Sequence, residues 1–172
     1  MKRADQAVVA VSGVKNSGKT TLIEALLPKL TAQGLKVAVI KHDGHDFSPD
    51  VPGTDTFRHR QAGAYGAAVF SAGQWMASKA MPVTETELLA LFPEADLILL
   101  EGFKHSPWPK LELVRRGNSE ESVCEVSTLL GLVTDLPLTA GDAPVYSPAD
   151  LDGIAALLCN YTKRTSRHAG PF

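Results

Sequence analysis

The segment from Gly13 to Thr20 constrains this sequence more than any other. It reads Gly-Val-Lys-Asn-Ser-Gly-Lys-Thr, which matches the P-loop pattern G-x-x-x-x-G-K-T at every fixed position. An apolar run, Ala7 to Ser12, precedes it, and a helical pattern starts at Lys19. In such a strand–loop–helix unit the backbone N–H groups close around phosphates, and the helix N-terminus adds its dipole. The segment therefore predicts a nucleoside triphosphate site formed by Gly13, Val14, Lys15, Asn16, Ser17, Gly18, Lys19, Thr20 and Thr21.

The rest of the chain alternates apolar strand-like runs with helical patterns, which predicts an α/β fold of the P-loop NTPase class. We expect a mostly parallel sheet with helices on both faces. The length of 172 residues fits one nucleotide-binding domain over residues 1–162, followed by a flexible tail over 163–172. The predicted strands are Ala7–Ser12, Lys36–Ile40, Gly66–Ser71, Gln74–Met81, Asp96–Leu100, Leu111–Arg115, Leu130–Thr134 and Pro144–Tyr146. The predicted helices are Lys19–Gln33, Thr54–Ala62, Thr84–Leu91 and Pro148–Tyr161.

Composition excludes several classes of partner. The net charge is −2, from 17 basic and 19 acidic residues, so no general attraction to nucleic acid is expected. No run approaches the roughly 20 apolar residues that span a membrane, and the first residues leave no room for a signal peptide. Cys124 and Cys159 form no metal-type pair. They are expected to be reduced thiols in a cytoplasmic protein.

The strand Asp96 to Leu100 ends in an acidic residue, Glu101. In an open parallel sheet, ligands gather at the carboxyl ends of the strands, and this strand is expected beside the P-loop. Glu101 is then placed to contact Mg²⁺ or to orient an attacking water, and the Thr20 hydroxyl to ligate the same ion. Lys19 should reach the β- and γ-phosphates, so Lys19 and Glu101 are the candidate catalytic residues. The alternative is that Glu101 only caps a turn with Gly102.

The loop Lys41 to Asp46 (KHDGHD) leaves the carboxyl end of another predicted strand. Its two histidines and two aspartates are compatible with a transition-metal site, but no tight ligand spacing supports one. We favour Asp43 as a Mg²⁺ group, with Lys41 and His42 facing phosphate or a second substrate. A solvated polar loop is the remaining interpretation.

Asp135 follows the late strand Leu130 to Thr134. In many GTP-binding proteins an aspartate after a late strand accepts hydrogen bonds from guanine N1 and N2, but the N-K-x-D signature is missing here. Asp135 is therefore either a guanine contact or an ordinary turn residue.

Several segments together resemble the MobB family of molybdopterin-guanine dinucleotide biosynthesis adapter proteins. The resemblance covers about Ala7 to Asp135. It is carried, in order, by GVKNSGKTT from Gly13, KHD from Lys41, GTDTFR from Gly53, AGA from Ala62, LEGFK from Leu100 and PKLE from Pro109.

The resemblance implies a homodimeric GTP-binding protein, and the P-loop implies Mg²⁺ as its cofactor. Slow hydrolysis is expected, because nothing besides Glu101 looks like a strong activating group. It also implies that the chain assists a MobA-like molybdopterin guanylyltransferase, which transfers GMP to molybdopterin, and contacts molybdopterin or its guanine dinucleotide. The implied second-substrate residues are Lys41, His42, Asp55, Arg58 and Lys104. Lys110 and His105 extend this basic rim in the same interpretation, and Trp75 and Trp108 are large enough to pack on a pterin.

Two other functions stay open at this point. A small-molecule kinase would use the same P-loop, with Arg115-Arg116 as the arginine pair of a lid over the transferred phosphate. A metallocentre-assembly GTPase would need His42 and His45 to bind a metal tightly, and the chain lacks a histidine tract.

Overall fold

The computed structural model describes residues 6–44, 47–48 and 50–168, except for the side chain of His168. These residues form two compact units. The first combines the chain up to His42 with the chain from Thr86 onward, and the second is Asp43–Glu85. In chain order the strands are β1 Ala7–Ser12, β2 Val37–Lys41, β3 Gly66–Phe70, β4 Trp75–Lys79, β5 Leu97–Glu101, β6 Lys110–Val114, β7 Leu129–Thr134 and β8 Val145–Tyr146. The α-helices are α1 Lys19–Ala32, α2 Asp55–Gln61, α3 Glu85–Leu89 and α4 Leu151–His168, and a 3₁₀ turn spans Val126–Thr128.

The first unit is built on a six-stranded sheet in the order β2-β5-β1-β6-β7-β8. Every neighbouring pair in it is parallel. Strands β1, β5 and β6 are buried along their whole length. This explains the continuous apolar runs in β1 and β5, because a strand covered on both faces has no polar side. The predicted parallel α/β fold is confirmed.

Helices cover both faces of this sheet. On one face, α1 and α4 contribute Leu26, Leu30 and Leu158 to a core that also contains inward residues of β1 and β5. On the other face, Leu89 of α3 and the partly buried Trp108 pack on a cluster that includes Ala10 of β1. The P-loop therefore leaves a strand that is held rigidly from both sides.

The second unit contains α2 and an antiparallel hairpin of β3 and β4. Thr54 caps α2 by accepting a hydrogen bond from the backbone N–H of Phe57 at 3.4 Å. Asp50 organises the approach to this helix, because its Oδ1 accepts from the hydroxyls of Thr54 and Thr56 at 3.0 and 3.1 Å. Burial by itself raises the pKa of Asp50, but these bonds and that from the Val51 N–H outweigh it and hold the pKa below its usual value.

The predicted end of the last helix is wrong. Helix α4 does not end at Tyr161 but runs to His168. Thr162 is buried, and its hydroxyl donates to the carbonyl of Leu158 within the helix at 2.9 Å, so the polar-looking sequence continues a packed face. Residues 169–172 lie outside the described chain. The division into one domain over 1–162 and a flexible tail stays a prediction. In the part of the chain that is described, no helix has both the length and the apolar character needed to cross a membrane.

Candidate nucleotide site

The P-loop joins β1 to α1 through residues in backbone conformations that favour glycine. Gly13 has φ 141° and Gly18, the N-cap of α1, has φ 92°. A Cβ added to Gly13 would lie 2.5 Å from the carbonyl oxygen of Leu113, so the loop can only pass this close to β6 with glycine there. Asn16 takes a left-handed conformation at φ 62°, which Asn tolerates better than most residues. The fixed glycines of the motif are thus required by the geometry itself.

The Lys19 side chain folds over this loop. Its Nζ donates to the carbonyl of Val14 at 2.7 Å and to that of Gly13 at 3.4 Å. Burial lowers the pKa of Lys19; the charge of Glu101 opposes that shift, and the charges of Lys41 and Lys104 add to it. Three ammonium groups around one carboxylate make a locally positive site, which favours a polyanionic ligand.

Thr20 and Glu101 meet beside the P-loop. Strands β1 and β5 are parallel neighbours with Val11 opposite Glu101, which confirms the predicted position of the acidic residue. The Thr20 hydroxyl donates to Oε1 of Glu101 at 2.6 Å, and Nζ of Lys41 lies 3.8 Å from the same oxygen. Glu101 is only 7% exposed. The two proposed Mg²⁺ groups therefore share one point at the carboxyl edge of the sheet.

The segment that begins at Glu101 contacts the loop after β2, where other predicted site residues lie. The His42 N–H donates to the carbonyl of Glu101 at 3.1 Å, and its ring stands edge-on to Phe103 with centroids 5.6 Å apart. The Ser12 hydroxyl donates to the carbonyl of Gly102 at 2.5 Å, which ties the end of β1 to the end of β5. Lys41, His42 and Lys104 are all exposed. They are available to a ligand at this edge.

Asp135 lies at the end of β7 and is engaged by the segment that follows β6. Its Oδ1 accepts from the backbone N–H of Arg116 at 2.8 Å, and its Oδ2 from Nε of Arg115 at 3.2 Å. The Arg116 N–H bond and the Arg115 guanidinium lower the pKa of this carboxyl, against the opposing effect of burial. Its predicted contact with guanine stays a prediction.

Comparison with known proteins assigns the chain to a family. The family model described as MobB, molybdopterin guanine dinucleotide synthesis protein B, matches residues 8–135, which include the P-loop, Glu101 and Asp135. The chain belongs to the MobB family.

Relatives and solved structures agree with this membership. The molybdopterin-guanine dinucleotide biosynthesis adapter protein of Escherichia coli K12 is 33% identical over 167 residues, covering 91% of this chain and 94% of its own. The protein of the same name from Haemophilus influenzae is 35% identical and covers 76% of both chains. The crystal structure of Bacillus subtilis MobB superposes with a TM-score of 0.70 at 30% identity, over 88% of this chain and 98% of that one. A MobB homologue from Bacillus stearothermophilus gives a TM-score of 0.64 at 27% identity, over 91% of this chain and 98% of its own.

Three of the predicted site residues of this MobB-family chain lie in the second unit. Asp43 is exposed. Asp55 and Arg58 form an exposed ion pair, with Oδ1 and Nη1 3.5 Å apart, one turn apart on α2. Their roles toward Mg²⁺ and a second substrate stay predictions. His45 and Asp46 lie outside the described residues, and among residues 6–44, 47–48 and 50–168 no three His, Cys, Asp or Glu side chains cluster as metal ligands would.

One charged cluster next to the P-loop was missed by the sequence interpretation. Lys110, expected on an exposed basic rim, is 1% exposed, and its Nζ donates to the carbonyls of Ser106 and Trp108. Glu112 is fully buried, and its Oε1 accepts from the N–H groups of Val123 and Cys124 at 2.7 and 3.1 Å.

Both residues belong to the PKLE segment of the family resemblance, and the predicted position of Lys110 on an exposed rim is wrong. Their spacing of two on β6 was the available signal, since it places both on one face of a strand that is buried on both faces. Burial and the adjacent Glu112 charge raise the pKa of the Cys124 thiol to about 12, which makes it a poor nucleophile.

Proposed function

We propose that this chain binds GTP with Mg²⁺ at its P-loop, hydrolyses it slowly, and acts in the cytoplasm as an adapter in the attachment of GMP to molybdopterin. The observation that carries the nucleotide part is the 2.6 Å hydrogen bond between Thr20 and Glu101, beside a P-loop lysine on α1. Membership of the MobB family supports the pathway.

The chemistry of the side chains fits the proposed ligands. Mg²⁺ prefers hard oxygen donors, and Thr20 and Glu101 offer a hydroxyl and a carboxylate at one point. They would hold the ion, with Asp43 as a further predicted oxygen donor, and the ion would neutralise phosphate charge. Lys19 would contact the β- and γ-phosphates, since its ammonium already lies over the loop that binds them. The remaining P-loop residues, Gly13 to Gly18 and Thr21, would supply backbone N–H donors to the phosphates or support the residues that do.

The engagement of Glu101 supports the proposal of slow hydrolysis. A residue that orients the attacking water works best when its carboxylate is available to that water. Glu101 instead accepts from Thr20 and faces Lys41. We therefore propose a GTPase whose turnover serves its adapter role, and Lys19 and Glu101 as its catalytic residues.

The adapter role concerns two further partners. The Escherichia coli and Haemophilus influenzae relatives bear the name adapter protein. We propose that this chain assists a MobA-like guanylyltransferase and contacts molybdopterin or its guanine dinucleotide. Lys41 and Lys104 would provide ammonium groups for the phosphate of molybdopterin, and His42 an aromatic ring for its pterin. Asp55 and Arg58, in the second unit, are further proposed contacts.

The hairpin of the second unit supports a homodimer. It exposes large apolar side chains that a folded monomer has no reason to present to water: Val69 is 49% exposed, Phe70 83%, Trp75 64% and Met76 42%. Contiguous exposed apolar surface of this kind marks an association site. A second copy of this chain is the occupant that we propose.

The nucleotide proposal is tested by titrating fluorescent GTP and ATP analogues with Mg²⁺ into the native protein and into Lys19→Ala. We expect tighter binding of GTP than of ATP, and loss of both in the variant. Lys36→Ala is the matched control, because that exposed lysine precedes β2 at the opposite edge of the sheet. Equal or tighter ATP binding would overturn the guanine-binding adapter and favour a kinase.

The partner proposal needs a separate measurement. Phosphate release from GTP is measured with and without a MobA-like guanylyltransferase and molybdopterin, and the formation of the guanine dinucleotide is followed in the same samples. We expect slow phosphate release by the chain alone and faster dinucleotide formation when the chain is present. Unchanged dinucleotide formation by a chain that binds GTP would remove the adapter role and leave the nucleotide site standing.

A further inference from the structure

The segment that follows β6 is docked against the P-loop. The Asn118 side-chain Nδ2 donates to the carbonyl of Lys15 at 3.1 Å. The turn itself is closed by the Asn118 N–H, which donates to the carbonyl of Arg115 at 3.0 Å. Because one end of this short turn is bonded to the P-loop, the position of Arg115 relative to the phosphate site is fixed.

The Arg115 guanidinium lies at the start of α1. A Cβ placed on Gly18 would be 3.9 Å from Nη1 of Arg115. Gly18 is the N-cap of α1, where the free backbone N–H groups of the helix and its dipole attract anions. A permanently charged group thus stands at the same place as the backbone donors of the P-loop.

Asp135 holds this guanidinium by one nitrogen only. Nε of Arg115 contacts Oδ2 of Asp135 at 3.2 Å. Nη1 and Nη2 have no hydrogen-bond partner among the residues that the structure describes, and the side chain is 40% exposed. Arginine has five N–H donors, so four remain for a ligand.

We propose that Arg115 is a phosphate-contacting residue of the nucleotide site and that Asp135 is the residue that positions it. This rests on the proposed nucleotide function and adds a cation supplied by the same chain from β6. Two free nitrogens in one plane match two phosphate oxygens, which a lysine ammonium does not. The P-loop motif does not contain this residue, and sequence analysis considered Arg115 only as part of the lid of a kinase.

The test uses inorganic tripolyphosphate with Mg²⁺ beside GTP, because tripolyphosphate presents phosphates without a base or ribose. Binding is measured by calorimetry for the native chain, Arg115→Ala, Arg115→Lys, Asp135→Asn and the double variant Arg115→Ala/Asp135→Asn. Arg116→Ala is the matched control, since only the backbone N–H of Arg116 takes part in this contact. The melting temperature of each variant without ligand shows that it is folded.

We expect Arg115→Ala to lower the affinities for GTP and for tripolyphosphate by the same factor. That factor should be about tenfold or more, as for the loss of a hydrogen bond to a charged group. Arg115→Lys should recover part of this loss, and Arg116→Ala should bind as the native chain. Asp135→Asn should weaken tripolyphosphate when Arg115 is present and have no effect in the Arg115→Ala background. A purely structural role of Asp135 would weaken both backgrounds alike.

Three outcomes would overturn the inference, and each differs from failure of the proposed function. Native-like binding by Arg115→Ala removes the contact. If Arg115→Ala binds GTP more weakly but binds tripolyphosphate as the native chain does, Arg115 contacts the nucleoside and not the phosphates. If Asp135→Asn binds GTP more weakly but binds tripolyphosphate as the native chain does, Asp135 contacts the base instead of positioning Arg115. If the native chain binds neither GTP nor tripolyphosphate, the nucleotide function itself is lost.

Discussion

The Thr20 hydroxyl donates to Oε1 of Glu101 at 2.6 Å, across 81 residues of sequence. Two adjacent parallel strands bring them together, because β1 leads into the P-loop and β5 ends at Glu101. This bond connects the first turn of α1 to the carboxyl edge of the sheet. Its partners are the two groups that we propose around Mg²⁺, so substituting them should change the metal dependence of binding.

We expect Thr20→Val to make GTP affinity independent of Mg²⁺, because valine has the shape of threonine without the hydroxyl. Thr20→Ser should keep the dependence. Removing the donor from the buried Glu101 should also lower the free energy of unfolding by about 1–3 kcal/mol. GTP titrations with and without Mg²⁺, together with urea unfolding, measure both. A Mg²⁺ dependence that survives in Thr20→Val would exclude Thr20 as a ligand.

GTP affinity should fall as the pH rises toward the ordinary lysine value. The pKa of Lys19 lies below 10.5 in the folded chain, because of burial and the charges of Lys41 and Lys104. Bound phosphates favour the charged lysine and raise its pKa again, so binding takes up a proton above the lowered value. The affinity then decreases by up to about tenfold per pH unit in that range.

The same shift affects stability with the opposite sign. Between the lowered pKa and 10.5 the unfolded chain binds more protons than the folded chain, so the free energy of unfolding rises with pH there.

Lys19→Arg is the control for the binding prediction, because arginine stays charged and should remove the proton uptake that accompanies GTP binding. Calorimetry in two buffers with different ionisation enthalpies detects that uptake. Equal uptake by Lys19→Arg would assign the proton to another group.

Gly13→Ala should destabilise the chain more than Gly34→Ala. Both glycines have positive φ, 141° and 82°, so alanine is strained at either. Only at Gly13 does the new Cβ also meet backbone, 2.5 Å from the Leu113 oxygen, whereas nothing lies within 4 Å at Gly34. We expect about 1–2 kcal/mol at Gly34 and a larger loss at Gly13, measured by urea unfolding. Equal losses would mean that β6 moves away at no cost.

Glu112→Gln should lower stability by about 1–3 kcal/mol. Its Oε1 accepts two backbone N–H groups, which an amide that must present one NH₂ satisfies less well in a buried site. Glu120→Gln is the control, since Glu120 is exposed on the segment after β6. Thermal unfolding of the two variants makes the comparison. A Glu112→Gln variant as stable as Glu120→Gln would show that the charge of Glu112 is dispensable.

The parallel fold and the position of Glu101 beside the P-loop followed from local sequence, because each depends on a motif at the end of an apolar strand. The position of Lys110 did not, since a lysine in a short Pro- and Trp-containing segment looks exposed until Ser106 and Trp108 are seen to turn their carbonyls toward it. The Arg115 contact with Asp135 was equally hidden, because it joins the ends of β6 and β7, and only the strand order makes them neighbours. The extension of α4 past Tyr161 depended on the burial of Thr162, a tertiary effect.

All six strands of the main sheet come from the chain before Asp43 and after Glu85. In the part of the segment 43–85 that the structure describes, β3 and β4 pair with each other in a separate two-stranded sheet. The parallel strand ladder on either side of β1 is therefore built from strands outside this segment. Over evolutionary time, the exposed face of β3 and β4 can change without altering the strand pairing beside the P-loop.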